Sequence, residues 1–208
     1  MTRFAGLTVS ELLDAISNPD PTPGGGTASA IAGAMGTALL TMVSGLAKSK
    51  NNADDEKAAL EAARLALEPL RAELMRLADA DSEAYGEVMA AYRRPKVSEE
   101  DRAARTTAIQ AALRQATVVP LETLRTCAAV MPLAAQVAEA GNRSAASDVG
   151  VAIGLLEAAA AGAEANVRIN LSGLKDDVFN TNVVSETLRL ASETAAAARA
   201  ARQALAER

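Results

Sequence analysis

The run Thr27-Ala28-Ser29-Ala30-Ile31-Ala32-Gly33-Ala34-Met35-Gly36 opens a stretch without charge as far as Ala47, and Pro21-Thr22-Pro23-Gly24-Gly25-Gly26 leads into it. Two prolines each fix one φ angle and three glycines then supply backbone freedom, so a steep turn with positive-φ residues is expected at the junction. Behind it the sequence predicts a helix with Thr27 or Ser29 as its N-cap. Ser29, Gly33, Thr37 and Thr41 recur every four residues, which puts small side chains on one face and permits close backbone approach. The run has the length of a membrane span. Its small and hydroxylated residues make it only weakly apolar, and it reads as the buried central helix of a bundle. A glycine-rich turn that opens a helix also aims orphan N–H groups and the positive dipole end at one point, a physical site for anions. It is not a Walker loop, since no Gly-Lys-Ser/Thr follows, and Ser29 stands where G-x-G-x-x-G needs its last glycine.

Composition agrees with an all-α chain. Half of the 208 residues are apolar but only 2% are aromatic, and alanine, the strongest helix former, supplies much of the apolar share. The length predicts a single domain over residues 1–208. An alanine-rich core gains little per residue on burial, because stabilisation scales with apolar area. A homodimer or higher homo-oligomer is therefore expected. A net charge of −5 argues against a nucleic-acid partner. The single cysteine, Cys127, excludes an internal disulfide and suits the cytoplasm. With no histidine in the chain, His-based triads and the common zinc sites are excluded. No metal is expected, and acid–base work falls to Asp, Glu, Lys, Tyr or Cys.

Along the chain, Thr8 to Glu11 has capping-box spacing and starts a short helix ended by Asn18-Pro19. A long helix from Asp54 or Asp55 to about Arg93 follows, with a kink or break at Pro69, and Ser98 to Asp101 caps another that Pro120 and Pro132 bend. Ser147 or Asp148 opens an Ala-rich helix to about Asn166, and a last helix runs from about Val178. The expected architecture is a multihelical bundle of long kinked helices around the small-residue helix.

Asp79 and Asp81 point about 200° apart on a helix and cannot work together. Asp81, Tyr85, Met89 and Tyr92 share an apolar face, whereas Asp79, Glu83 and Glu87 share a solvated one. Desolvation on the apolar face would raise the Asp81 acid and suit it to proton transfer. Gly141, Asn142 and Asp148 have the types of helix caps. Lys48, Lys50, Arg93, Arg94 and Lys96 make two basic spots in an acidic chain, and Cys127 reads as a packed thiol.

Four ordered motifs carry a resemblance over residues 9 to 200: PTPGGG-T-A-S-A with AGAMG after it, Asp79 to Tyr85, Gly141-Asn142 with Ser147-Asp148, and Asn166 to Leu171. Together they resemble the cyclodeaminase/cyclohydrolase family of folate enzymes. The resemblance implies a tetrahydrofolate derivative as substrate and no tightly bound cofactor. It implies one of two reactions at the one-carbon unit between N5 and N10. The first reading is deamination of 5-formiminotetrahydrofolate to 5,10-methenyltetrahydrofolate; the second is hydrolysis of methenyltetrahydrofolate to 10-formyltetrahydrofolate. Asp81 would be the proton shuttle, with Asp148 second and Lys50 or Lys48 as an acid–base or tail contact. Thr22, Pro23, Gly24, Gly25, Gly26, Tyr85, Asn142 and Lys96 would bind substrate. The chain departs from the family at Lys48 to Ala53, which lacks the usual aromatic, and at Arg94-Pro95-Lys96. A helical oligomer that keeps the scaffold without the activity is the reading from another class.

Overall fold

The uncharged run folds as the helix its composition predicts. In the computed structural model, which describes residues 4–46 and 54–207, it is α2 (Gly25–Gly45). Before it comes α1 (Val9–Ser17); after it come α3 (Asp54–Tyr92), α4 (Glu99–Ala140), α5 (Ala146–Leu171) and α6 (Asp177–Ala206). Two 3-10 turns, Phe4–Gly6 and Arg143–Ala145, complete the regular structure, and there is no strand among the described residues. Lys48 and Lys50 lie outside the described residues. The capping boxes predicted at Thr8/Glu11 and Ser98/Asp101 both form, each satisfying two orphan N–H groups at a helix start.

Two expectations at the start of α2 are corrected. Its N-cap is Gly24, in an extended conformation and without a side-chain cap, rather than Thr27 or Ser29. No residue in the described chain has positive φ, and the Thr22-Pro23 peptide bond is cis. The glycines serve close approach rather than an unusual φ.

The helices form a ring in which α2 packs between α3 and α5, and α4 closes the ring from behind. α6 covers α4 and α5. α2 runs antiparallel to α5: a Cβ at Gly162 would overlap Ser29 Oγ, and one at Gly36 would come within 2.8 Å of the Ala152 carbonyl oxygen. A Cβ at Gly33 would meet Cys127 and Leu74 more loosely, in tight contact at 3.3 Å. Beyond Thr27, the hydroxyl groups on this buried helix are satisfied locally, with Thr37 donating to Gly33 O and Ser44 to Leu40 O, which removes the desolvation cost of an unpaired group. By length and composition α2, α4 and the stretch Arg143–Leu171 are apolar enough to cross a membrane. In α2 that apolar surface is largely enclosed by its neighbours.

α3 and α4 run unbroken through their prolines. Pro69 is exposed, so the carbonyl four residues earlier, at outward-facing Leu65, can turn to water. The main core gathers Leu40, Leu67, Leu74, Leu124, Met131 and Leu156. A second core, around Leu77, Val88, Ile109 and Leu113, holds α3 and α4 together.

The contrast between glycines is testable by urea unfolding. Gly36→Ala should cost about 1–3 kcal/mol by overpacking against the α5 backbone. Gly150→Ala, where an added Cβ meets nothing within 4 Å, should instead gain about 0.5–1 kcal/mol from helix propensity. Equal effects at the two positions would contradict this packing.

Candidate active site

α2 has 21 residues and α3 has 39. The N-terminus of α2 meets the C-terminal third of α3 at Asp81, and a cavity of about 290 Å³ lies over its first turn. The floor is Pro21, Thr22, Gly24, Gly25 and Gly26. α3 contributes Asp81, Ala84, Tyr85 and Val88, α4 contributes Ala116, and α5 contributes Asn166, Ile169 and Asn170.

Asp81 is held against the first turn of α2. Its Oδ2 accepts a hydrogen bond from Thr27 Oγ at 3.0 Å, so the residue expected to cap the helix instead serves the carboxylate. Gly26 makes this approach possible: a Cβ there would overlap Asp81, lying 2.6 Å from its Cγ. Burial pushes the Asp81 acid above the usual carboxylate range, while the hydrogen bonds from the Thr27 side chain and backbone pull it part of the way back. Asp81 is the one acidic or basic side chain in the lining, and none of the ion pairs among the described residues involves it.

Asn166 and Asn170 stand one helical turn apart on α5. Each donates one amide hydrogen to a backbone carbonyl, Asn166 to Gly162 at 2.8 Å and Asn170 to Ala116 at 2.6 Å. The second hydrogen and the oxygen of each amide are left for a ligand edge. In the sequence both fall within the Asn166 to Leu171 motif.

Of the expected site residues, Thr22, Gly24, Gly25, Gly26, Asp81 and Tyr85 come together; Pro23 does not line the cavity. The face of α3 is shifted by a residue from the one expected, since Ala84 and Val88 line the cavity and Met89 and Tyr92 do not. Tyr92 is 45% exposed and lies under the Arg105 guanidinium. Asp79 is turned away, as expected, but it is occupied: it accepts a 2.8 Å hydrogen bond from the Phe4 backbone.

Asn142 and Asp148 stand at the other end of the bundle. Gly141 packs on Val43, about 26 Å along α2 from Gly26, and Asp148 is about 27 Å along α5 from Asn166. Asn142 accepts hydrogen bonds from the Ser144 amide and hydroxyl, which is a turn-capping role. Lys96 is exposed in the connection between α3 and α4 and is not part of the lining. Cys127 is fully buried and its thiol is pushed up to about 12 by burial, so it takes no part as a thiolate. No cluster of three His, Cys, Asp or Glu side chains able to hold a metal occurs among the described residues.

Residues 8–189 match the family model described as formiminotransferase-cyclodeaminase. The chain belongs to that family. Among the curated proteins, a methenyltetrahydrofolate cyclohydrolase of Methylorubrum extorquens is 41% identical over 189 residues, 91% of either chain. A formimidoyltransferase-cyclodeaminase of Rattus norvegicus is 37% identical over 157 residues, 76% of this chain and 29% of that longer relative. The crystal structure of a formiminotetrahydrofolate cyclodeaminase from Thermotoga maritima covers 98% of both chains at 30% identity, with a TM-score of 0.86. The formiminotransferase-cyclodeaminase fold is thus shared along nearly the whole chain.

The raised acid has a sign that can be measured. The folded chain keeps the Asp81 proton to higher pH than the unfolded chain does, so this group's contribution to stability is full below the ordinary carboxylate value. It is lost as pH rises through the raised value. Asp81→Asn, which does not ionise, should therefore be more stable than wild type at neutral pH, with the gain shrinking as pH falls into the carboxylate range. A pH-independent difference in urea midpoint would refute this. Gly26→Ala should displace Asp81, whereas Gly25→Ala, whose Cβ meets Asn166 at an ordinary 3.8 Å, should leave it in place.

Proposed function

We propose that this chain is a folate one-carbon enzyme whose proton shuttle is Asp81, converting 5-formiminotetrahydrofolate to 5,10-methenyltetrahydrofolate and ammonia. The observation that carries the reading is a single desolvated carboxylate in a cavity otherwise lined by neutral groups. The reaction begins and ends with an amidinium-like cation. An ionised Asp81 stabilises that charge, and in a site shielded from water it does so more strongly than in solution. N10 attacks the formimino carbon, Asp81 takes the N10 proton and delivers it to the amino group, and ammonia leaves from the tetrahedral carbon. The carboxylate is regenerated and the bridging cation remains. Asn166, Asn170 and the backbone of Gly24 to Gly26 would orient the pterin edge, with Tyr85 as a wall. The volume suits the ring system and its one-carbon unit, leaving the tail outside, where Lys96 is a proposed contact.

The second reading is favoured by the full-length relative at 41% identity. It uses the same carboxylate as the base for water attacking the methenyl carbon; Asp81 returns that proton to N5 as the N5–carbon bond breaks, and the hydroxyl proton leaves to solvent as the formyl carbonyl forms. The intact cavity disfavours a scaffold without activity. We further infer a cytoplasmic homo-oligomer acting without a tightly bound cofactor. The exposed Met35 and Met42 on α2, with Leu46 just after its end, support an association surface.

Purified protein offered each substrate in turn should produce or consume the near-ultraviolet absorbance of methenyltetrahydrofolate; no change with either substrate would overturn the reading. Asp81→Asn should lose about 10²- to 10⁴-fold in kcat, with substrate affinity falling much less than turnover. Asp79→Asn, at a residue that lies outside the lining and accepts from the Phe4 backbone, should change turnover little. Sedimentation as a monomer at micromolar concentration, with full activity, would exclude the oligomer.

A further inference from the structure

Three hydroxyls connect the cavity floor to Asp81. Thr22 Oγ donates to Ser82 Oγ at 2.6 Å, Ser82 Oγ and Thr27 Oγ lie 3.1 Å apart, and Thr27 Oγ donates to Asp81 Oδ2 at 3.0 Å. The Ala78 carbonyl, 3.4 Å from Thr27 Oγ, is a longer alternative acceptor. Ser82 is 8% exposed and Thr27 fully buried, while Thr22 is half-buried and lines the cavity. Each hydroxyl has one hydrogen to give. With Thr22 donating to Ser82 and Thr27 donating to Asp81, Ser82 must donate to Thr27. All three then point the same way, and an ionised carboxylate, which only accepts, enforces that direction.

A neutral Asp81 with its hydrogen on Oδ2 has the opposite requirement. It donates to Thr27, Thr27 donates to Ser82, and Ser82 donates to Thr22. The Thr22 hydrogen is then released from Ser82 and free to point into the cavity. We propose that Thr22, Ser82 and Thr27 form a reversible hydroxyl chain, so that Thr22 offers a ligand an acceptor when Asp81 is charged and a donor when it is neutral. No bond between heavy atoms forms or breaks. The hydroxyls rotate about their C–O bonds, and the one proton that Asp81 gains comes from the ligand or solvent.

The inference deepens the folate reading and rests on it for the ligand's identity, though not for the chain itself. When the proton that Asp81 gains resides on Oδ2, Thr22 becomes a donor to the substrate. Ser82 and Thr27 are positioning residues, since neither lines the cavity. Tyr85 is the other titratable side chain in the lining; α2 and the lining residues of α4 and α5 bring no charged group to the carboxylate.

The test uses the free, full chain with 13C-labelled Asp carboxyls, the Asp81 resonance being assigned by its loss in Asp81→Asn. Thr27→Val should raise the Asp81 titration midpoint by about one pH unit, the loss of one hydrogen bond to a charge. Ser82→Ala should raise it by about half a unit, because the chain polarises Thr27. Thr27→Ser should restore the wild-type midpoint, and Ser82→Ala added to Thr27→Val should shift nothing further. A midpoint unmoved by Ser82→Ala overturns the proposal, as does an equal shift with and without the Thr27 hydroxyl. Should Thr27→Val fail to fold, Ser82→Ala alone decides. No folate is present, so failure here is distinct from failure of the turnover assay.

Discussion

The contact between the Asp81 carboxylate and the first turn of α2, made across the missing side chain of Gly26, is the constraint on which the site depends. It fixes where α2 meets α3. It places a carboxylate beside N–H groups at the positive end of a helix, which tempers the cost of burying it. The compensation is incomplete, because the acid remains raised. Desolvation wins over hydrogen bonding here, and the balance leaves a group suited to exchange protons rather than one locked as a permanent anion.

Around that contact the bundle is built from close approach. Glycines at 36 and 162 bring α2 and α5 together at distances that an alanine would disturb. Beyond Thr27, the hydroxyls of Thr37, Thr41 and Ser44 on α2 return their hydrogen bonds to their own helix. Thin helices gain little area per residue, but they pack closely, and dispersion between closely spaced backbones replaces some of what large side chains would supply.

Much of this was legible in the sequence, and the exceptions have physical reasons. Helix type and order followed from alanine content, capping boxes and the four-residue stripe of small side chains. The different facing of Asp79 and Asp81 followed from helical phase. Thr27 was misread because a hydroxyl at a helix start ordinarily caps it; only the packing of α3 shows that a carboxylate claims it instead. Asn142 and Asp148 were grouped with Asp81 by motif, and nothing in a linear sequence reveals that the connection from α4 and the start of α5 lie at the far end of the bundle. Tyr92 was assigned to the buried face because the periodicity does not show where a neighbouring helix ends. Ser82 and Ala116 had no signal at all, since small residues look alike until their neighbours are known.

The floor of the cavity has a further consequence. It is made largely of main chain, from Gly24, Gly25 and Gly26, and main-chain donors are the same whatever the residue. Whatever this surface recognises is protected from drift by substitution, short of replacing a glycine. Discrimination between related substrates must therefore be written in the walls, at Val88, Ala116 and Ile169, where one added or removed methyl group changes the space without touching the polar machinery. A fold organised in this way can change its substrate while keeping its chemistry.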